Sequence, residues 1–300
     1  MTTRQKEDKG VPLPQQERVL YYKYGMKKIA IQGIKGSFHD IAAHQYFEGE
    51  EIELLECDTF EQVFEHLKND EEVVALVAIE NTIAGSLLHN YELLREGTAT
   101  IVGEHKLHIQ HSLMCLPDED WAGLKEVNSH PVALMQCREF LKNHPEMKVV
   151  EVDDTAGAAA NISQKQLRGH AAICHKDAAA IYNMKVLQVG IETNKHNFTR
   201  FLVLASPSKA ESLRRIDATN KCSMVFSLSH EEGSLSAILS VLSFYKLNLT
   251  KIQSLPIIGK EWQYLFYIDL KFNDYLRYRQ AINAIAPLTE ELKILGEYRG

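Results

Sequence analysis

Asn197-Phe198-Thr199-Arg200-Phe201 sets a hydroxyl beside a guanidinium in a run of apolar, strand-forming residues. A guanidinium inside an apolar strand is costly unless paired, and its planar fork suits bidentate capture of a carboxylate. Two uses are open for Arg200: a clamp for a ligand carboxylate, or a salt bridge to an internal Asp or Glu. Thr199 is open in the same way, as a working hydroxyl or as a β-branched strand residue. Glu80-Asn81-Thr82 follows VVALVAI (73–79), the most apolar strand of the chain. Polar groups at the carboxyl end of such a strand face the ligand crevice of open α/β sheets; the plainer reading is a capped turn.

Three further clusters stand at expected helix starts. Gly33-Ile34-Lys35-Gly36-Ser37 lies between a strand and a helix, where backbone N–H groups can hold an anion and Ser37 can cap or bind. It is neither a P-loop nor a GxGxxG, which argues against a nucleotide. Ser129 precedes His130-Pro131, with Gln136 inside the helix that follows. Asp153-Asp154-Thr155 opens another helix, where the acids suit the dipole and capping is the default role. His105, His108 and His111 are the tightest histidine group, but an offset of three flips the face of a strand, so they cannot converge on a metal. No HExxH and no GxSxG occurs.

The elements that must position these groups alternate. Strands are read at 27–32, 51–56, 73–79, 99–103, 107–116, 147–152 and 171–174. Helices lie between them, at 37–47, from Thr59 onward, and at 87–96, 131–143, 155–166 and 176–182. Thr59 with Gln62 has capping-box spacing, and Phe60, Val63, Phe64 and Leu67 form a helical stripe. This rhythm implies α/β architecture with a mostly parallel sheet. ASPSKAESLRRIDATN (205–220) breaks it and reads as a linker at 207–220. A β-α-β-β-α-β set over 221–300 then has the ferredoxin-like order. Residues 1–25 are polar, with no apolar period, and read as a disordered tail; Met26, directly before the first strand, is a candidate start.

Composition bounds the rest. The 300 residues suggest about two domains. The net charge of −7, without a basic block, argues against nucleic acid or an anionic membrane as partner. No apolar run is long enough to span a bilayer and no secretory signal is visible. Five scattered cysteines without a CxxC pair read as reduced, buried thiols in the cytosol.

Taken together, the segments resemble prephenate dehydratase from about Lys27 to the C-terminus. GIKGSFHDIAA resembles that family's opening glycine loop, AIENTIAGS its IENS segment, SHPVALMQC its SHP…QC helix, DDTAGAAA its STA-type helix and NFTRF its TRF signature. The resemblance implies a catalytic domain at 26–206 with two lobes, like a type II periplasmic-binding fold, the second lobe at about 104–190. It also implies an ACT regulatory domain at 221–300. A fold of this kind leaves one lobe and returns, which brings NFTRF to the cleft. Four positions depart from the family pattern: Ile34, Ser37, Thr82 and Val132 stand where Pro, Thr, Ser and Gln are common. The effector motifs appear as Gly233-Ser234-Leu235 and Gln253-Ser254-Leu255-Pro256, without the Glu and Arg of the standard form, so an altered effector site is the alternative to phenylalanine feedback.

The implied reaction converts prephenate to phenylpyruvate, losing the ring carboxylate as CO2 and the ring hydroxyl as water. Aromatisation drives it, so no metal, redox cofactor or covalent nucleophile is required. By resemblance Thr199 assists the leaving hydroxyl, with a protonated Glu80 as rival acid. Arg200 is the candidate carboxylate clamp or, alternatively, a brace for its strand. Ser37, Asn81, Thr82, Ser129, Gln136, Thr155 and Phe201 are the expected substrate contacts. Gly233, Ser234, Leu235, Asn248, Leu249, Gln253 and Ser254 are the expected effector contacts, with L-phenylalanine as the candidate effector. ACT modules commonly pair, so a homo-oligomer, dimer or tetramer, is expected. Arogenate is the alternative substrate, and a non-catalytic sensor the alternative function.

Overall fold

The computed structural model describes residues 26–300; the reading of 1–25 as a tail lies outside the described residues. The first lobe runs β1 (Lys27–Gln32), α1 (Phe38–Tyr46), β2 (Ile52–Cys57), α2 (Phe60–Asn69), β3 (Val74–Asn81), β4 (Gly85–Ser86), α3 (Leu88–Glu96) and β5 (Thr100–His108). Ser37 caps α1, its Oγ accepting the Asp40 N–H at 3.3 Å. Thr59 caps α2 by accepting the Gln62 N–H at 3.4 Å, while Gln62 Oε1 reaches back to the Asp58 N–H at 2.8 Å. β3 is buried from Val74 to Ile79, as a strand covered on both faces must be.

The second lobe runs β6 (Ser112–Cys115), β7 (Glu126–Ser129), α4 (Pro131–Gln136), α5 (Arg138–Lys142), β8 (Lys148–Glu151), α6 (Thr155–Lys165), β9 (His170–Cys174), α7 (Ala178–Ile181) and β10 (Lys185–Val189). Two expected boundaries are corrected here. The stretch to His108 is one unbroken strand of the first sheet, so the second lobe begins at β6 and not near residue 104. The expected helix 131–143 is two helices, because at Cys137 one N–H is shared between the carbonyls of Ala133 and Leu134.

The chain then returns. β11 (Phe198–Ala205) inserts between β3 and β5, antiparallel to both, giving the order β2-β1-β3-β11-β5 with β4 on β3. The second sheet is ordered β10-β6-β9-β7-β8, parallel at β8-β7-β9 and antiparallel at β9-β6-β10. Both sheets are therefore mixed rather than mostly parallel. The expected linker contains a helix, α8 (Pro207–Leu213), capped by Ser206 with Pro207 at its first turn.

The remainder is β12 (Lys221–Ser227), α9 (Ser234–Phe244), β13 (Asn248–Pro256), β14 (Tyr264–Lys271), α10 (Tyr275–Ile285) and β15 (Glu291–Tyr298). It forms an antiparallel sheet, β13-β14-β12-β15, in ferredoxin-like chain order. One face packs Met224, Phe226 and Ile268 against Ile238, Leu242 and Tyr278 of its two helices. The other face places Val225, Tyr267, Leu295 and Tyr298 in one core with Tyr91, Ile101, Leu202 and Leu204 of the first lobe. The approach is close enough that a Cβ on Gly296 would lie 2.3 Å from the Ile101 carbonyl oxygen.

All five cysteines are free and buried, and burial pushes the Cys57 thiol up to about 11. Among the described residues no helix is long and apolar enough to cross a membrane.

Candidate active site

Two segments cross between the lobes, Ile109–His111 and Gly190–Asn197, and they are bonded to each other. The Ile109 N–H donates to the Asn197 carbonyl at 2.8 Å, the Ile191 N–H to the His111 carbonyl at 3.0 Å, and the His111 N–H to Glu192 Oε2 at 2.9 Å. A cavity of about 250 Å³ opens beside this crossing, between the starts of α1, α4 and α6 and the end of β3. That is just below the range of about 300–1,000 Å³ usual for sites taking small organic ligands. Ser37, Asn81, Gln136, Thr155, Thr199 and Phe201 line it, together with His39, His111 and Asp154. The lobes also touch beyond the cavity, where Tyr182 Oη donates to the Lys35 carbonyl at 2.5 Å.

A chain of side-chain amides runs along the floor. His111 Nε2–H donates to Gln136 Oε1 at 2.8 Å, Gln136 Nε2 to Asn81 Oδ1 at 3.3 Å, and Asn81 Nδ2 to Thr199 Oγ1 at 3.0 Å. Asn197 closes it, accepting from Asn81 Nδ2 at 2.8 Å and donating to Gln136 Oε1 at 2.9 Å. Asn81 Oδ1 is fixed in turn by the N–H groups of Ile83 and Ala84 at 2.9 and 2.8 Å. The order matters: Thr199 Oγ1 accepts from Asn81, so its own proton is left to donate into the cavity. Burial lowers the pKa of His111 at the far end of the chain.

The helix starts add partial positive charge. Ser37 and Thr155 stand at the first turns of α1 and α6. Asp154 opposes them only in part. Its Oδ1 accepts the Gly157 N–H at 2.6 Å as the cap of α6, and burial raises its pKa.

Four expected site residues are corrected by this geometry. Successive side chains of a strand point to opposite faces. Thr199 faces the cavity, so Arg200 faces away, where it donates through Nε to Glu104 at 2.7 Å, through Nη1 to Asp269 at 2.5 Å and through Nη2 to Tyr298 Oη at 3.1 Å. It is a brace and not a ligand clamp. Glu80 is turned away beside Asn81 by the same alternation and pairs with Lys251 at 2.8 Å, which removes it as rival acid. Thr82 lies outside the cavity wall, its hydroxyl bonded to the His196 carbonyl and the Phe198 N–H. Ser129 is fully buried and donates to the Ile173 carbonyl at 2.5 Å, which ties β7 to β9.

His39, His111 and Asn197 are site residues that the sequence reading did not include. Asn197 carried a signal as the first residue of the NFTRF segment, and His39 as a member of the GIKGSFHDIAA segment. Gly233, Ser234 and Leu235 stand at the start of α9, and Asn248, Leu249, Gln253 and Ser254 lie along β13, an edge strand.

A family model described as prephenate dehydratase matches residues 29–209, more than half of the chain. The chain belongs to the prephenate dehydratase family. It is 32% identical over 275 residues to the bifunctional chorismate mutase/prephenate dehydratase of Escherichia coli (strain K12), covering 90% of this chain and 70% of that protein. It is 35% identical over 288 residues to arogenate dehydratase 2 of Petunia hybrida, covering 90% and 71%. A solved prephenate dehydratase from Arthrobacter aurescens, in complex with L-Phe, superposes with a TM-score of 0.81 at 25% identity, covering 91% of this chain and 90% of that one.

This prephenate dehydratase cleft carries a pH signature in its stability. Burial holds the His39 imidazole down to about 4, and its Nε2 accepts the Ala78 N–H at 3.3 Å. In the unfolded chain the same group binds a proton near pH 6.5. The unfolded state therefore holds more protons between about pH 6.5 and 4, and stability falls as pH drops through that window. The expected result is a Tm that is flat above about pH 6.5 and declines below it. His39→Asn should make the decline shallower; an unchanged slope in that variant would contradict the assignment.

Proposed function

We propose that the protein converts prephenate to phenylpyruvate, with Thr199 as the group that assists the departing hydroxyl. The observation that carries this is the bonding order at Thr199, which lines the cavity and whose Oγ1 accepts from Asn81; a hydroxyl that accepts in this way still has its own proton to donate. In the reaction the carbon–carbon pair of the ring carboxylate enters the ring as CO2 leaves. The carbon–oxygen pair departs with the hydroxyl oxygen, which becomes water. The dianion yields a monoanion, CO2 and water, so one solvent proton is consumed per turnover. Thr199 stabilises charge as it builds on the leaving oxygen, and the amide chain behind it is already oriented, so little reorganisation is needed.

Among the described residues lining the cavity none is Lys or Arg. That suits a decarboxylation. A cation on the ring carboxylate would stabilise the ground state, whose charge is lost on the way to CO2, and only interactions stronger in the transition state accelerate the step. The hydroxyls of Ser37 and Thr155 and the dipoles of α1 and α6 are the proposed holders of the carboxylate that survives. Asp153 and Asp154 in the same wall would meet the ammonium group of arogenate. Together with the arogenate dehydratases among the relatives, they make arogenate the second substrate to test.

The ferredoxin-like unit is proposed to be an ACT regulatory domain that takes an amino acid at Gly233–Leu235 and along β13. The L-Phe complex of the Arthrobacter aurescens relative supports that reading. Phe244, Ile258 and Trp262 are 80%, 91% and 71% exposed, which supports a homo-oligomer. Buried free thiols support a cytoplasmic setting.

The test is phenylpyruvate formation from prephenate by purified protein in EDTA, with arogenate run in parallel and phenylalanine present or absent. Phenylpyruvate in EDTA is the expected result. Turnover of arogenate alone would move the substrate assignment. Turnover of neither by folded protein would overturn the function. An unchanged rate with phenylalanine would remove that effector.

A further inference from the structure

β3 and β11 each carry a cavity residue next to a residue that the ferredoxin-like domain holds. Thr199 faces the cavity, and its neighbour Arg200 is bonded to Asp269 of β14 and Tyr298 of β15. Asn81 faces the cavity, and its neighbour Glu80 is paired with Lys251 of β13. The two strands are in register here, Thr199 opposite Asn81 and Arg200 opposite Glu80, and the ladder shifts immediately afterwards, between Arg200 and Phe201. A bulge of this kind re-aims side chains beside it.

The anchoring groups form one buried assembly. Arg200 also bonds Glu104 of β5, whose carboxylate receives Lys221 Nζ at 2.7 and 2.8 Å. Asp269 receives Ser223 Oγ at 2.6 Å. The side chains of Arg200, Glu104, Asp269 and Lys221 are at most 10% exposed. Two cations meet two anions, so removing one partner leaves a buried charge without compensation. A second branch runs from Glu80 through Lys251 Nζ to Ser86 Oγ at 3.0 Å and on to Gln253 Oε1 at 3.1 Å.

We infer that Arg200 and Glu80 are positioning residues through which the ferredoxin-like domain sets the aim of Thr199 and Asn81 across the β11–β3 bulge. Every strand contributing to the grip belongs to a different lobe or domain from the cavity's opposite wall. A displacement of β13 or β14 therefore moves Lys251 or Asp269, and through them the two strands that carry the hydroxyl and its orienting amide. The hydroxyl need move little, because misplacement of about 1 Å by a distant change can cost around 10²-fold in rate.

This inference rests on the dehydratase reading, and its test separates the two. Asp269→Asn and Lys251→Met alter only the ferredoxin-like domain and touch nothing in the cavity. The expected result for each is a kcat on prephenate lowered about 10- to 100-fold with KM nearly unchanged, and partial recovery in Lys251→Arg. Glu80 retains access to water, with a side chain 37% exposed, so Lys251→Met keeps the fold even if Asp269→Asn does not. A folded Lys251→Met protein with native kcat would overturn the inference. If the wild type turned over neither substrate, the dehydratase reading would fail, and the Asn81 side-chain amide signal in NMR would decide the inference alone. A shift of that signal in Lys251→Met supports it, and an unmoved signal sinks it.

Discussion

Thr199→Ala lowers kcat by about 10²- to 10⁴-fold, the range expected when a positioned proton donor is removed, and leaves KM close to that of the parent. The KM expectation follows from the geometry. The proposed contacts of the surviving carboxylate come from Ser37, Thr155 and the two helix starts, none of which depends on the Thr199 hydroxyl. An interaction made chiefly in the transition state shows itself as a fall in kcat without a matching rise in KM. Folding should be little affected, because Asn81 Nδ2 keeps its bond to Asn197 Oδ1 at 2.8 Å when Oγ1 is gone. Thr199→Ser should keep most of the activity, since the hydroxyl and its Asn81 donor both remain. Steady-state kinetics with a melting curve on each variant checks this, and near-normal turnover by Thr199→Ala would remove the residue from the mechanism.

Gly296→Ala is expected to separate the ferredoxin-like domain from the first lobe. The added Cβ would stand 2.3 Å from the Ile101 carbonyl oxygen and 2.6 Å from its Cβ. Neither conflict can be relieved by turning a side chain. The cost falls at the upper end of overpacking, about 3 kcal/mol, and lowers Tm by several degrees. The interface has an apolar core shared by Ile101, Leu202, Leu204, Val225 and Leu295, so forcing it apart exposes that core. Calorimetry should show the single transition of the parent broadening or splitting, with earlier protease cutting between residues 205 and 221. A variant that melts like the parent would mean that β5 and β15 part easily there.

Much of this architecture was legible in the residues. Ser37, Thr59 and Pro131 marked helix starts because capping is a local event. The apolar run of β3 announced a central strand for the same local reason. Side-chain direction was legible as well. Thr199 and Arg200 are adjacent in one strand, as are Glu80 and Asn81 at the end of another, and strand alternation forbids both members of either pair from facing one cavity. A resemblance transfers residue types, and alternation decides which of them meet. The helix in the expected linker had its own signal, Ser206-Pro207, set within a polar stretch. His39 lay within the GIKGSFHDIAA segment, but His111 carried no site signal. Its place depends on the crossing of segments far apart in the chain, and no local pattern reports that.

The return of β11 also bears on how the molecule is made. Asn81 and Thr199 are bonded although 118 residues separate them, and β3 and β5 have no partner between them until residues 198–205 exist. The second lobe, by contrast, is one continuous stretch from β6 to β10. During synthesis it can finish while the first lobe, begun earlier, waits on the ribosome with the apolar edge of β3 uncovered. Contacts of such long separation form slowly, and uncovered strand edges in the meantime favour aggregation. The lobe that is translated first is thus the one completed last, and the Thr199 hydroxyl arrives on the strand that closes it.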